Sequence, residues 1–257
     1  MLRVLATTPA DSGPPELTYD SLLGGQLRFH QPRAGYRVNV DSVLLAAFAA
    51  GGRRAARAVD LGAGVGLVGL LLAHFQVARE LWLVEREASL AEVATRNLAS
   101  AGVSGRVLAS DVSDLAGLSE LRQAAELVAC NPPFFGSGRH RAPKLAERAS
   151  ARVGDVTPFV LAAAHCLAGN KARAVFAYPA TELAELLAAA ERSQLVPKRL
   201  RLVHPFIERP ARLALVELKR ARPGGLVIEP PLVEWQSENV PSPELLALSA
   251  GRVGDRK

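Results

Sequence analysis

A doubly wound α/β sheet, mainly parallel and closed by an antiparallel carboxyl-terminal hairpin, is the fold class that this 257-residue sequence predicts. Three observations carry the prediction. Between Arg57 and Ser193 short apolar runs alternate with helix-length segments, the pattern of parallel strands covered by helices on both faces. A glycine-rich string, "VDLGAGVG", joins the first of those runs to a helix. Further on, "KRLRLVHPF" and "RLALVELKR" follow one another with no helix between them, which makes them an antiparallel pair.

The elements follow in order. Residues 1 to about 20 contain Pro9, Gly13, Pro14 and Pro15 with little periodicity and read as a flexible lead-in. "GGQLRFHQP" alternates weakly, as a short strand pair or an extended arm does, and Asp41 before "SVLLAAFAA" reads as the cap of a buried helix. Then come strand "RAVDL" with a helix from Leu67, strand "ELWLVE" with a helix through "ASLAEVATRNLASAG", and strands "RVLASD" and "ELVACN". A helix through "VTPFVLAAAHCLAG", strand "RAVFAYP" and a helix through "ATELAELLAAAERS" lead to the hairpin. "GLVIEPP" is a short run beside it, and from about residue 237 the chain reads as a polar, proline-bearing end. The expected division is an arm over 1–34, one domain over 35–235 and a tail over 236–257.

Hydrophobic residues make up 49% of the chain, enough for one sizeable core. No apolar run reaches the roughly 18 residues of a membrane span, and the opening residues lack a signal-peptide core. Cys130 and Cys166 suit neither a disulfide framework nor a zinc cluster. His30, His74, His140, His165 and His204 show no metal-ligand spacing. The expected setting is therefore soluble and cytoplasmic, with no membrane and no metal.

The net charge is +6, carried by 26 Arg and 5 Lys against 25 acids, and although a GC-rich genome also encodes arginine freely, the balance favours a polyanionic partner. The distribution is uneven. Arg28 to Arg57 holds six arginines and one acid, and Gly136 to Arg152 holds Arg139, Arg141, Lys144, Arg148 and Arg152 against Glu147. Arg192 to Arg222 holds nine bases against Glu208 and Glu217. Basic stretches that flank a site are what phosphate binding asks for.

Gly62, Gly64 and Gly66 end the first strand and open a helix, so backbone N–H groups and a positive helix end face a nucleotide-like ligand there. Glu85, ending the next strand, is placed to accept both hydroxyls of a ribose. Asp111, ending the third, can accept from an adenine amine or cap the next helix. Asp60 can hold the N–H groups of the turn or a cationic part of the ligand.

"CNPPFFG" follows the fourth strand, beside the glycine turn. Pro132 and Pro133 remove two N–H donors, leaving the Asn131 side-chain carbonyl and the Pro132 main-chain carbonyl as acceptors. Two converging acceptors suit a planar NH2 group, and Phe134 offers a face for its conjugated ring. The glycines of "FFGSG" then lead into Arg139, Arg141, Lys144, Arg148 and Arg152, where an RNA backbone would enter the site.

Taken together, "VDLGAGVG", Glu85, Asp111 and "NPPF" resemble the class I S-adenosylmethionine-dependent amino-methyltransferases over roughly residues 35 to 220. More narrowly, "GYRVNVDSVLLAAF", "NPPFF" with its basic loop, and "HPFIERPARLALVEL" are similar to the tRNA adenine-N6 methyltransferases that modify the adenine beside the anticodon of a valine tRNA. The resemblance implies a seven-stranded Rossmann-like sheet. It implies donor binding by Asp60, Gly62, Gly64 and Gly66, ribose binding by Glu85, and adenine contact by Asp111 and Val112. Tyr36, Asp41 and Ser42 would lie at the methionine end of the donor, and Asn131, Pro132, Pro133 and Phe134 around the target amine. Many members carry Tyr where this chain has Phe134, which keeps the stacking face and removes a hydroxyl.

The expected function is S-adenosylmethionine-dependent methylation of an exocyclic amine, with adenine N6 in tRNA the leading acceptor. Protein glutamine and rRNA guanine N2 methylation fit "NPPF" as well. A nicotinamide-dependent dehydrogenase would use Gly64, Gly66 and Gly69 but leaves "NPPF" unexplained. A non-catalytic RNA-binding module has no use for a full set of donor and acceptor motifs. The oligomeric state is not encoded in any of these features.

Overall fold

The computed structural model describes residues 16–34, 40–133 and 155–253. Tyr36, Phe134 and the basic residues Arg139, Arg141, Lys144, Arg148 and Arg152 lie outside the described residues.

Leu17–Leu22 (β1) and Leu27–Pro32 (β2) pair antiparallel, so "GGQLRFHQP" is neither a strand pair by itself nor an unpaired arm: it supplies one strand, and the other lies upstream of it. Its first strand begins inside the stretch predicted as a lead-in. The reason is the alternation along β2, which buries Leu27, Phe29 and Gln31 on one face. Helix α1 (Val40–Ala50) starts one residue before Asp41, so that residue sits within the first turn and not ahead of it.

The alternating region forms as predicted: β3 (Ala55–Leu61), α2 (Leu67–His74), β4 (Ala78–Glu85), α3 (Ala88–Ser100), β5 (Gly105–Ala109), β6 (Leu127–Cys130), α4 (Thr157–Cys166), β7 (Arg173–Pro179) and α5 (Leu183–Arg192). The hairpin β8 (Val196–His204) and β9 (Leu213–Lys219) completes a seven-stranded sheet in the order 8-9-7-6-3-4-5. β3 to β7 run parallel, and β9 lies antiparallel between β7 and β8. Two short strands, β10 (Val227–Ile228) and β11 (Leu232–Val233), add to β8 in parallel, which makes nine among the described residues.

Alternate residues of each strand serve opposite cores. Ala58 and Leu83 join Leu44, Leu45, Leu70 and Leu71 of α1 and α2. Val59, Val84 and Val128 join Val160, Ala163 and Leu186 of α4 and α5. Each fully buried Val or Leu contributes about 1.5–3 kcal/mol.

The last residues depart from the predicted polar end. Trp235–Ser237 (β12) and Val240–Pro241 (β13) pair, and Pro243–Ser249 forms α6. The Ser242 hydroxyl accepts from the Leu245 N–H at 3.1 Å, Pro243 occupies the first turn, and Leu245 and Leu248 are buried. "SPELL" carries that capping signal, but its apolar face is too short to stand out by periodicity.

Candidate active site

β3 lies between β4 and β6, with the strand order running out in opposite directions from it. In open α/β sheets ligands bind outside the carboxyl ends at such a switch point. Three segments converge there: the glycine turn after Leu61, Glu85 at the end of β4, and Asn131 just past β6. Register brings Leu61 opposite Val84 on one side and Cys130 on the other.

The turn is built by glycines in a left-handed conformation. Gly66 has φ +82°, and a Cβ there would lie 2.7 Å from Leu83 Cδ2 and 3.3 Å from Ala94 Cβ, both in the packed core. Gly64 has φ +55°, but a Cβ there would meet nothing within 4 Å. The first glycine lets the helix close on the sheet, and the second faces open space where a ligand can approach. Gly66→Ala is therefore expected to lose about 1–3 kcal/mol of stability in urea unfolding, through overpacking and backbone strain together. Gly64→Ala carries only the strain, about 1–2 kcal/mol, so its larger loss is expected in ligand affinity.

Two carboxylates organise this turn. Glu85 is 8% exposed, its Oε2 accepting from the Gly64 N–H at 2.8 Å and its Oε1 from the Glu87 N–H at 2.9 Å. With about four lone-pair positions on a carboxylate, two remain for a ligand. Asp60 is 3% exposed and its Oδ2 accepts from the Gly69 N–H at 3.0 Å. That bond reaches past the glycine turn to the first turn of α2, a partner that neither of the two expected roles of Asp60 named.

Burial pushes the Asp60 carboxyl up to about 7, against the pull of the Gly69 N–H and with a further push from the Glu85 charge. Folding therefore takes up a proton between the ordinary value of 3.8 and about 7. The stability linked to that proton is fully present below 3.8 and is lost as pH rises through about 7. Asp60→Asn keeps the acceptor and removes the charge. Between pH 5 and pH 8 its stability is expected to gain on the wild type by about 2–3 kcal/mol. Parallel pH profiles from urea unfolding would refute this.

Asn131 closes the other side. Its Nδ2 donates to the Ser42 hydroxyl at 3.4 Å, and its Oδ1 is buried with no hydrogen-bond partner among the described residues. Pro132 is buried and Pro133 exposed. An unsatisfied buried carbonyl costs about 1–3 kcal/mol, so this acceptor is held ready for a donor that the described residues do not supply.

Ser42 and Asp41 are both buried at the start of α1, and Ser42 touches Asn131. Asp41 Oδ1 accepts from Arg212 Nη1 at 2.7 Å, and the same guanidinium forks onto Glu234, Nε to Oε2 at 2.6 Å. Asp111 lies two residues past β5. Its Oδ1 accepts from the Ser113 N–H at 2.8 Å and the Ser113 hydroxyl at 2.7 Å, which together hold its carboxyl below the ordinary value. No α-helix follows it before Leu121, so of its two readings the capping one is met by a turn. Val112 beside it is buried. Cys130 is fully buried, and burial followed by the Asp60 charge raises its thiol well above the ordinary range, so it is no nucleophile.

Three contributors carry no sequence signal of their own, although Arg212 lies within "HPFIERPARLALVEL". Asn97 of α3 donates from Nδ2 to the Val65 and His30 carbonyls and accepts the His30 N–H, tying the glycine turn to the β1–β2 hairpin. The Phe159 ring edge lies 3.0 Å from where a Gly62 Cβ would sit. Arg212 with Glu234 holds the start of α1. Among the described residues no group of His, Cys, Asp and Glu could hold a metal ion, and no helix is long and apolar enough to cross a membrane.

Residues 38–153 match the family model described as the methyltransferase small domain. A tRNA1(Val) (adenine(37)-N6)-methyltransferase from Shewanella baltica is 30% identical over 175 residues, covering 66% of this chain and 71% of that protein. Its counterpart from Vibrio campbellii is 29% identical over 197 residues, covering 76% and 80%. Among solved structures, a predicted O-methyltransferase from Agrobacterium tumefaciens superposes with TM-score 0.64 at 24% identity, over 82% of this chain and 98% of that one. A 16S rRNA methyltransferase from T. thermophilus, solved with AdoMet and guanosine, has TM-score 0.56 at 20% identity over 83% and 52%. The two structural likenesses speak for the fold.

Proposed function

The chain belongs to the S-adenosylmethionine-dependent methyltransferase family that contains the tRNA1(Val) (adenine(37)-N6)-methyltransferases, and from that membership we propose that it methylates the N6 amine of an adenine in tRNA. S-adenosylmethionine supplies an electrophilic methyl group when bound. The Oδ1 of Asn131, buried and without a partner among the described residues, is the observation that supports an amine acceptor. An aryl NH2 is the donor that this carbonyl lacks. With the Pro132 carbonyl as the second acceptor, both protons are held and the nitrogen lone pair turns out of conjugation. Phe134 is the stacking face in this reading.

Positioning does most of the work, since an aligned pair of reactants can be worth about 7–11 kcal/mol. No strong base is required, because the proton released from the methylated amine passes to the acceptors or to water. On the donor side, Gly62, Gly64 and Gly66 leave room for the backbone to approach, and Glu85 offers its two remaining acceptor positions to a ribose. The buried carboxyls Asp60 and Glu85 suit a cationic donor, whose charge relieves their mutual repulsion. Tyr36, Asp41 and Ser42 are proposed at its methionine end, and Asp111 and Val112 at its adenine.

The basic stretch with Arg139, Arg141, Lys144, Arg148 and Arg152 is proposed to meet the RNA backbone, which favours nucleic acid over a protein amide. An extruded base costs a few kcal/mol of unstacking, least in a loop. The cytoplasm is the proposed setting, with 35–235 the catalytic domain between the arm 1–34 and the tail 236–257. Nucleoside mass spectrometry of tRNA from cells with and without the protein tests the substrate. The expected result is N6-methyladenosine that disappears with the protein. Loss of N2-methylguanosine from rRNA, or of a methylated glutamine, with tRNA unchanged would overturn the reading.

A further inference from the structure

Apart from Arg212, the basic stretch from Arg192 to Arg222 is given no part in the acceptor and donor pockets above, nor is the pair Arg53 and Arg54. The structure brings members of both to one cavity of about 450 Å³, lined by Arg53, Lys171, Arg173, Arg199, Lys219 and Glu217 with the glycines that follow α1. It lies at the amino end of the sheet, since Arg173 opens β7 and Lys219 closes the antiparallel β9. Along the seven residues of β7 that is about 20 Å from the carboxyl end at 3.3 Å per residue.

The floor of the cavity is rigid. Arg173 donates to the carbonyls of Arg53 at 2.6 Å and Ala49 at 2.8 Å, and Arg199 donates to the carbonyl of Phe48 at 2.9 Å, so both guanidiniums cap the end of α1. They can lie this close because Gly51 and Gly52 have no side chain: a Cβ on Gly52 would be 2.7 Å from Arg173 Nε. Glu217, 2% exposed, is shared by Arg199 at 3.2 Å, Lys219 at 3.0 Å and Arg173 at 3.5 Å, and Glu229 takes Arg199 Nε at 2.8 Å. Five cations thus face two carboxylates. Arg53 and Lys171, both exposed, form no ion pair with the described residues, and they stand at the rim of a floor already fixed in place.

A surplus of three positive charges around a concave, pre-organised floor is a site for an anion with several oxygens. We propose that this cavity binds a phosphate of the RNA backbone, with Arg53 and Lys171 closing on it from the rim, remote from the site of methyl transfer. The RNA source rests on the tRNA reading above; a free phosphate compound shares the chemistry. A folded RNA carries phosphates over its whole surface, so one can sit here while an unpaired base enters the pocket of Asn131 about 20 Å away.

The test compares wild type with the double variant Arg53→Ala, Lys171→Ala, titrated with tRNA across a salt series and separately with inorganic pyrophosphate. Neither side chain holds the fold, so the melting temperature and the donor affinity are expected to stay unchanged. The variant is expected to bind tRNA about tenfold more weakly, as the loss of a contact to a charged group implies. Its plot of log affinity against log salt should be shallower by about 0.7–0.9, the share of one neutralised phosphate. Wild-type affinity and slope in the variant, with pyrophosphate binding also equal or absent in both, would overturn the proposal. A loss confined to pyrophosphate would overturn the RNA source and leave a free phosphate compound as the ligand. If wild type binds pyrophosphate through these residues but neither binds nor methylates tRNA, the tRNA reading falls and the anion site stands.

Discussion

Asn131→Ala is expected to lower the rate of methyl transfer by at least about 100-fold, the scale of misplacing a reacting group by an ångström, with donor affinity unchanged. The buried Oδ1 has no partner among the described residues, so in the proposed reading its removal deprives the acceptor amine of a hydrogen bond. The sign of the stability change separates this role from a structural one. Deleting an unsatisfied buried carbonyl removes a desolvation cost, and the 3.4 Å contact to Ser42 is too long to offset it. Stability should therefore hold or rise by about 1 kcal/mol, whereas an asparagine that merely held the turn would lose stability on truncation. Single-turnover kinetics with donor titration by calorimetry decides the matter, and wild-type turnover in the variant would remove Asn131 from the acceptor site.

Glu85→Ala is expected to raise the donor dissociation constant by about 10- to 100-fold, since each hydrogen bond to a charged group is worth about 1.5–3 kcal/mol. Two effects combine. The ligand loses its acceptor, and the N–H groups of Gly64 and Glu87 lose theirs, so the turn that frames the ligand loosens. Glu85→Gln retains one accepting oxygen and should fall between. In the proposed reading the acceptor base is bound at Asn131, so its Michaelis constant at saturating donor should be little changed. An unaltered donor affinity in the alanine variant would place the donor away from the end of β4.

The outline of the sheet was legible because its signals are local. Period-two burial, the spacing of apolar runs and the missing N–H groups of Pro132 and Pro133 are properties of a few adjacent residues. The order of glycine turn, Glu85 and Asn131 was legible for the same reason, since each follows directly on a strand and strand ends share one pole of a parallel sheet. The start of β1 and the capped helix α6 were missed. β1 is fixed by its pairing with β2, and α6 by burial of Leu245 and Leu248, neither of which its own few residues announce.

The sequence by itself determined the doubly wound class, the left-handed glycine turn and the carbonyl-rich end of β6, because these depend on backbone geometry that a short run of residues imposes. Only the tertiary structure decided that Asp41 is held by Arg212 from 171 residues away, and that Asn97 locks the turn to a hairpin 67 residues earlier. It also decided that burial raises the Asp60 carboxyl, that Asn131 Oδ1 is left without a partner among the described residues, and that Arg53, Lys171 and Arg199 share one cavity. Desolvation and long-range contact depend on which distant segments pack together, and residue spacing along the chain carries no record of that.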